Sequence, residues 1–205
     1  PLFMQDNGIL PVHTPTETRQ ILYGTMLFCF YGAMFFGTPI LGDLSDRYGR
    51  KNILLFALCA IATAEALCGI AIQSKLVWLF ALGRAFGGFV TGTQPLAQAT
   101  VADMSTKETK TKNISLVILF TAIGVSAAPI LSGYLADANI SPHFGFSLPF
   151  YVTAVVAVVN ALMLLVSNLN RYQSQRENNF RINDLVSVYF KAIQRPNVRI
   201  LLITL

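Results

Sequence analysis

Five apolar runs, each at least 20 residues long, constrain the fold of this chain more than any other feature. They cover residues 21–41, 53–72, 76–102, 114–136 and 144–169. A helix needs about 20 apolar residues to cross a hydrocarbon core of roughly 30 Å. The sequence shows no series of short alternating strands such as a membrane barrel needs. The runs therefore predict an all-α integral membrane protein, and the low charged fraction of 12% agrees with this class.

The positions of the basic residues predict which ends of the runs face the cytoplasm. Twelve of the 15 Lys and Arg residues follow the first, third or fifth run, at Arg47, Arg50, Lys51, Lys107, Lys110, Lys112, Arg171, Arg176, Arg181, Lys191, Arg195 and Arg199. Cytoplasmic loops of membrane proteins are enriched in Lys and Arg. Residues 42–52, 103–113 and 170–197 are therefore predicted to be cytoplasmic, and residues 1–19 external. The net charge of +5 reflects topology, and no nucleic-acid partner is expected.

The same pattern divides the chain into three parts. Helices are predicted over about 19–42, 52–73, 75–102, 113–136 and 147–168, which form a membrane bundle within residues 1–169. Residues 170–196 are polar and basic, with apolar positions near helical spacing, and predict a cytoplasmic linker with an amphipathic helix. Another apolar run starts at 197. Because the chain opens on Pro1 and closes within this run, we expect a segment of a longer protein.

Residues 42–52, GDLSDRYGRKN, carry five charges of both signs between two apolar runs. They fit the pattern G-x-L-x-D-R-x-G-R-[KR] at Gly42, Leu44, Asp46, Arg47, Gly49, Arg50 and Lys51. This pattern resembles the loop between helices 2 and 3 of the major facilitator superfamily. Across nearly the whole chain, the resemblance is nearest to the twelve-helix drug:proton antiporters of the tetracycline-efflux and multidrug type. It implies the amino-terminal six-helix bundle of that fold, with helix 1 not in this chain and helix 7 beginning at 197–205.

The charges of this motif have two possible roles. Gly42 and Gly49 allow a tight turn, and Arg50 can reach Asp103 at the cytoplasmic end of the third run and form a bidentate pair. The resemblance implies that this network is a conformational latch that holds the cytoplasmic side closed. The alternative is a topology anchor, which needs only basic residues. The interleaved acids favour the latch.

The third run contains a charge that a membrane span rarely tolerates. Its segment GRAFGGFVTG resembles the R-x-x-x-G motif of helix 4 in the family, with Arg84 and Gly88 in place. On a continuous helix, the side chains of Arg84, Thr91, Gln94 and Gln98 fall within roughly 80° of one another. Such a polar stripe is expected to face a cavity on the substrate or proton pathway. The alternative is that Arg84 extends to the outer interface.

Glu65 is the only acidic residue inside an apolar run. It is nearly level with Arg84, and two interpretations stay open. In the first, Glu65 carries a proton during transport; in the second, it forms a structural ion pair with Arg84. The helix 1 acid that is usual in the family is not in this chain, so the main proton site can lie before Pro1.

The fourth run contains GVSAAPILSG, which resembles the helix 5 signature of the family's antiporters. Gly124, Pro129 and Gly133 match that signature, whereas Ala128 and Ser132 replace glycines. Small residues four apart allow helices to pack closely, and Pro129 is expected to bend the helix. The segment predicts a packing motif and favours export.

These features predict a secondary transporter of a bacterial cytoplasmic membrane, with a small molecule, protons, lipid and the remainder of the transporter as partners. The leading function is proton-coupled export of a small lipophilic compound by alternating access. The alternatives are a proton-coupled metabolite symporter and a scaffold or sensor that does not transport. No catalytic constellation, metal-ligand cluster or phosphate-binding loop occurs in the sequence, so no enzyme activity, cofactor or metal is expected.

Overall fold

A computed structural model of the 205-residue chain describes residues 2–3, 8–11, 13–141 and 144–167. The chain divides into two compact units, Pro1–Ser174 and Gln175–Leu205, and all described residues belong to the first. The predicted linker at 170–196 and the further run at 197–205 lie outside the described residues. The division of the chain into three parts therefore stays a prediction.

Six helices make up the described part of the chain. They are α1 (Thr16–Tyr48), α2 (Arg50–Gln73), α3 (Val77–Val90), α4 (Thr93–Met104), α5 (Lys110–Ala136) and α6 (Leu148–Val166). Four of them, α1, α2, α5 and α6, are long and apolar enough to cross a membrane. The protein is thus an all-α, multi-pass membrane protein, which confirms the fold class predicted from the apolar runs.

The charged motif lies at the end of one helix and the start of the next and does not form a loop. We expected the first helix to end near Gly42, but α1 continues to Tyr48, and Gly49 alone separates it from α2. Asp43 pairs with Arg47 one turn later, at 2.7 Å, and such i,i+4 pairs support a helix. Gly49 has φ 94°, a conformation that favours glycine. The chain therefore turns at Gly49, and the predicted turn at Gly42 is wrong.

The third run forms two helices, so the predicted continuous helix over 75–102 is also wrong. The proline ring of Pro95 lacks an N–H and clashes with the carbonyl of the residue four positions earlier, which is Thr91. The Thr91 oxygen instead accepts a bond from the backbone N–H of Thr93 at 2.7 Å. At the break, a Cβ on Gly92 would lie 3.0 Å from the Thr38 Cα of α1.

Glycines bring α1 and α3 into backbone contact at two levels. A Cβ added to Gly37 of α1 would overlap the backbone of Phe89, and one added to Gly88 of α3 would overlap the backbone of Phe30. The two helices therefore approach more closely than any residue with a side chain would permit. This is the use of small residues that is common between helices in membranes.

Small side chains also join α2 to its neighbours. Against α3, Gly83 faces the thiol of Cys68, which is 1% exposed. Against α6, Gly69 lies beneath the ring of Tyr151. The buried residues of α6 are all alanines, Ala154, Ala157 and Ala161. Leucine, valine and isoleucine on the other faces are left for lipid, as expected where the surrounding solvent is itself apolar.

The helix α5 makes the fewest contacts of the four long helices, and none of its residues is buried. Within the described part of the chain, no atom lies within 4 Å of a Cβ placed on Gly124 or Gly133. The packing role expected for these glycines and for Pro129 therefore stays a prediction. A partner for this face is not among the described residues.

We predict that Gly88→Ala lowers the stability of the protein. The added methyl group would overlap the backbone oxygen of Phe30, which cannot move without shifting α1. Overpacking of this kind costs about 1–3 kcal/mol. The measurement is the temperature at which the buried thiol of Cys68 becomes reactive in purified protein.

Gly24→Ala in α1 is the matched control, because no atom lies within 4 Å of its added methyl group. It should leave the transition unchanged or raise it, since alanine favours a helix over glycine by about 0.5–1 kcal/mol. Cys29 and Cys59 are first replaced by serine so that Cys68 alone reports. Equal effects of the two substitutions would contradict the backbone contact.

Candidate functional site

Charged side chains meet on the side predicted to be cytoplasmic, where α1, α4 and α6 end and α2 begins. We call this set the junction cluster; its members are Asp43, Asp46, Arg47, Arg50, Lys51 and Asp103. Its strongest pair by geometry is Arg47 with Asp43. Arg47 donates from Nε and Nη2 to the two carboxylate oxygens at 2.7 and 3.0 Å. This fork arrangement is the bidentate geometry that strengthens arginine–carboxylate pairs.

Arg50 joins three helices through a single side chain. Its Nε donates to Oδ2 of Asp103 in α4 at 3.1 Å. Its Nη1 donates to Oγ of Ser45 at 2.9 Å and lies 2.7 Å from Oδ1 of Asp46, both in α1. The sequence analysis predicted a bidentate pair between Arg50 and Asp103. That prediction is wrong in this detail, because Nη1 binds the end of α1 and only Nε donates to Asp103. Asp103 receives one hydrogen bond and its side chain stays 48% exposed.

Lys51 attaches α6 to the same junction. Its Nζ donates to the backbone oxygens of Leu165 at 2.9 Å and Ser167 at 2.7 Å. The last carbonyls of a helix lack partners within it, and a cation near that end is favoured by the helix dipole. The sequence analysis assigned Lys51 to the latch but did not predict its contact with α6. Every residue has a backbone oxygen, so no residue type in the sequence indicates such a partner.

A cavity of about 460 Å³ opens in the other half of the bundle. We call it the aromatic cavity; it is lined by Leu2, Phe3, Tyr23, Met26, Leu27, Phe80, Arg84 and Phe150. Arg84 reaches it from α3, while α1 and α6 supply apolar walls. Four of the eight described residues that line it are aromatic. Among the residues predicted for the substrate or proton pathway, Arg84 is the one that lines this cavity.

Arg84 of α3 and Glu65 of α2 face each other, as expected if Glu65 forms a structural ion pair. Their closest atoms, Nη1 and Oε1, are 3.7 Å apart, which is beyond hydrogen-bond distance. The guanidinium also lies over the ring of Phe30, 4.2 Å from its centre. The side chains of Arg84 and Glu65 are 23% and 17% exposed. They form a loose ion pair, and the role of Glu65 in proton transfer stays a prediction.

The polar stripe predicted on the third run is not one surface, because the helix breaks at Thr91 and Gly92. Thr91 donates its hydroxyl back to the oxygen of Gly87 in its own helix. Gln94 lines a second cavity of about 530 Å³ between α2, α4, α5 and α6. Gln98 lines neither cavity among the described residues.

The second cavity contains polar residues that the sequence analysis did not single out. They are Thr93, Thr121, Asn160 and Ser167, together with Gln94. Asn160 could have been found, because it is the one amide well inside the fifth apolar run and polar residues in spans are usually functional or paired. Among the described residues, no group of three or more His, Cys, Asp or Glu could hold a metal ion.

The sequence profile of the Major Facilitator Superfamily matches the chain over residues 3–205. The chain belongs to this superfamily. The predicted resemblance is thereby confirmed, and five of the six residues of the junction cluster lie in the segment 42–52 that carried it. No solved structure matches the chain at a significant level.

Several curated members of the superfamily are similar to the chain. The tetracycline resistance protein, class H, of Pasteurella multocida is 28% identical over 178 residues, which are 82% of this chain and 42% of that protein. The tetracycline resistance protein, class C, of Escherichia coli is 30% identical, over 76% of this chain and 37% of that protein. Multidrug resistance protein 1 of Bacillus subtilis is 28% identical, over 78% of this chain and 40% of that protein. The chain spans about two fifths of the length of these relatives.

We predict that the two ion pairs of this superfamily member differ in strength. Asp103 is half exposed and accepts one bond, so a double-mutant cycle of Arg50 with Asp103 should give a coupling of about 0.2–1 kcal/mol. Arg47 and Asp43 are 7% and 19% exposed and bidentate, so their cycle should give a larger coupling. The measurement is thermal stability of the Ala and Asn variants. A larger value for Arg50 and Asp103 would contradict this geometry.

Proposed function

We propose that this chain is the amino-terminal half of a proton-coupled exporter of small lipophilic compounds in a bacterial cytoplasmic membrane. The observation that supports it best is the aromatic cavity, a space of about 460 Å³ whose described lining is apolar apart from Tyr23 and the cation of Arg84. Ligand sites are commonly of this size and character. The relatives named as tetracycline and multidrug resistance proteins favour a drug-like compound.

Transport in this proposal proceeds by alternating access. Two six-helix bundles rock about a site near the middle of the membrane, so that the compound is open to one side at a time. The remaining part of the transporter supplies the second bundle. Glycine contacts make α1 and α3 a rigid pair, and this suits a bundle that moves as one body.

The junction cluster acts as the latch that holds the cytoplasmic side closed. Support comes from its contacts, because Arg50 ties the ends of α1 and α4 and Lys51 ties the end of α6 to the start of α2. These bonds cross between helices at a single end of the bundle. A topology anchor would need the basic residues alone, whereas here each arginine has an acidic partner.

Glu65 is the acid we propose for proton coupling within this chain. It lies beside Arg84, and the distance of 3.7 Å between their closest atoms means that protonation would break no hydrogen bond between them. A proton on Glu65 would remove the compensating charge beside Arg84 at the wall of the aromatic cavity. Proton binding and compound binding would thus be linked through one guanidinium.

The proposal is tested by transport in inside-out vesicles that contain the complete transporter. With an acidic interior, tetracycline should accumulate inside, and a protonophore should abolish the accumulation. Glu65→Gln should bind the compound yet lose the dependence on the gradient. Glu108→Gln, at a fully exposed position outside the spans, is the matched control and should behave as wild type. Accumulation that ignores the gradient would refute proton coupling.

The latch is tested with Asp103→Asn. It removes the negative charge that Arg50 pairs with, so the cytoplasmic side should open more often and turnover should slow. The affinity for the compound should change little, because the junction cluster and the aromatic cavity share no residue. Glu108→Gln again serves as the control, since it removes a carboxylate from the same end of the bundle. Unchanged turnover in Asp103→Asn would leave this pair with an orienting role only.

A further inference from the structure

Arg84 is the only charged residue among the described residues that line the aromatic cavity. The other described residues of its wall are aromatic and aliphatic, with the hydroxyl of Tyr23 as their one polar group. Glu65, the closest carboxylate to Arg84 in the described part of the chain, is not among these lining residues. A molecule in the cavity would therefore meet the guanidinium and not the carboxylate.

The hydrogen-bonding capacity of Arg84 is unused within the described part of the chain. A guanidinium has five N–H donors, and the nearest carboxylate oxygen of the described residues lies at 3.7 Å, too far for a hydrogen bond. One face is covered by Phe30, which attracts the cation but accepts no conventional hydrogen bond. A largely buried cation is stable only when acceptors surround it. The cavity is the open side from which such acceptors can come.

We infer that the aromatic cavity binds a lipophilic organic anion, a compound with an apolar body and a single carboxylate. The carboxylate would pair with Arg84 in the bidentate manner that arginine favours. The apolar body would pack against Phe80, Phe150 and Tyr23. This inference rests on the proposed function and specifies the class of compound that is carried.

The charge of the wall decides between anion, neutral compound and cation. A cation would meet the like charge of Arg84 in an apolar space, where charges are poorly screened. A neutral compound would fill the apolar volume but offer weaker acceptors than a carboxylate. An anion satisfies both the apolar wall and the unused donors. Anion and Glu65 would then share one guanidinium, which places the bound compound next to the acid proposed for proton coupling.

The inference is tested by binding of three probes that share one ring system: pyrenebutyrate, pyrenebutanol and pyrenebutylamine. The complete transporter is placed in nanodiscs of phosphatidylcholine, and empty nanodiscs correct for partition into lipid. Pyrenebutyrate should bind about tenfold more tightly than pyrenebutanol or better, and pyrenebutylamine should bind most weakly. Equal affinity of the three probes would overturn the inference.

Substitutions assign the preference to Arg84. Arg84→Gln should reduce the affinity for pyrenebutyrate to that for pyrenebutanol and leave pyrenebutanol unchanged. Arg84→Lys keeps the charge beside Glu65 and so protects folding, but loses the bidentate fork; it should weaken pyrenebutyrate severalfold and spare pyrenebutanol. Lys75→Gln, which removes an exposed charge outside the cavity, should change nothing. An anion preference that survives in both Arg84 variants would overturn the assignment.

Two further comparisons separate this inference from its alternatives. If an anionic lipid were the natural occupant, adding phosphatidylglycerol to the nanodiscs would displace pyrenebutyrate from wild type but not from Arg84→Gln, and this result would overturn the inference. If tetracycline follows the proton gradient while the three probes bind equally, the inference fails and the proposed function stands. If pyrenebutyrate binds through Arg84 and no compound follows the gradient, the inference stands and the proposed function fails.

Discussion

The backbone contact between α1 and α3 is the constraint on which the rest of the structure depends. Gly88 of α3 lies against the backbone of Phe30, and Gly37 of α1 lies against that of Phe89. Because Arg84 stands one turn before Gly88, the same contact brings the ring of Phe30 to the guanidinium. A larger residue at either glycine would separate the helices and remove Arg84 from its aromatic neighbour. The close packing of α1 against α3 therefore also determines where the Arg84 guanidinium lies.

The two groups of charges occupy different environments and therefore act differently. The junction cluster lies at the helix ends, where water reaches Asp103 and weakens its pair with Arg50. The cluster joins the helices through several separate bonds, which attach α1, α2, α4 and α6 to one another. Glu65 lies within the membrane-length helix α2 and Arg84 packs beside it from α3, where each charge costs more and has fewer partners. An exposed pair is compatible with the latch proposed for the junction cluster, and a charge within the bundle is compatible with the binding role proposed for Arg84.

Sequence could predict the class of fold and several residues of the candidate site, because both follow from local chemistry. The length of the apolar runs gave the membrane helices, and the charged motif indicated a partner in Asp103, which Arg50 does contact. The break at Thr91 could have been read from Pro95, whose effect four residues earlier is local. The attachment of Lys51 to the end of α6 could not be predicted, since it depends on how distant helices pack. The face of α5 that carries Gly124 and Gly133 likewise has no neighbour among the described residues.

The break between α3 and α4 separates the elements that carry the two groups of charges. A continuous helix would fix the direction of its cytoplasmic half through its own hydrogen bonds. Here that ladder is interrupted at Thr91, so α3 is held by its glycine contacts, whereas α4 must be positioned by other means. Gly92 packs on Thr38 at the break, and Arg50 binds Asp103 at the far end. The position of α4 thus depends on the junction cluster, while that of Arg84 does not.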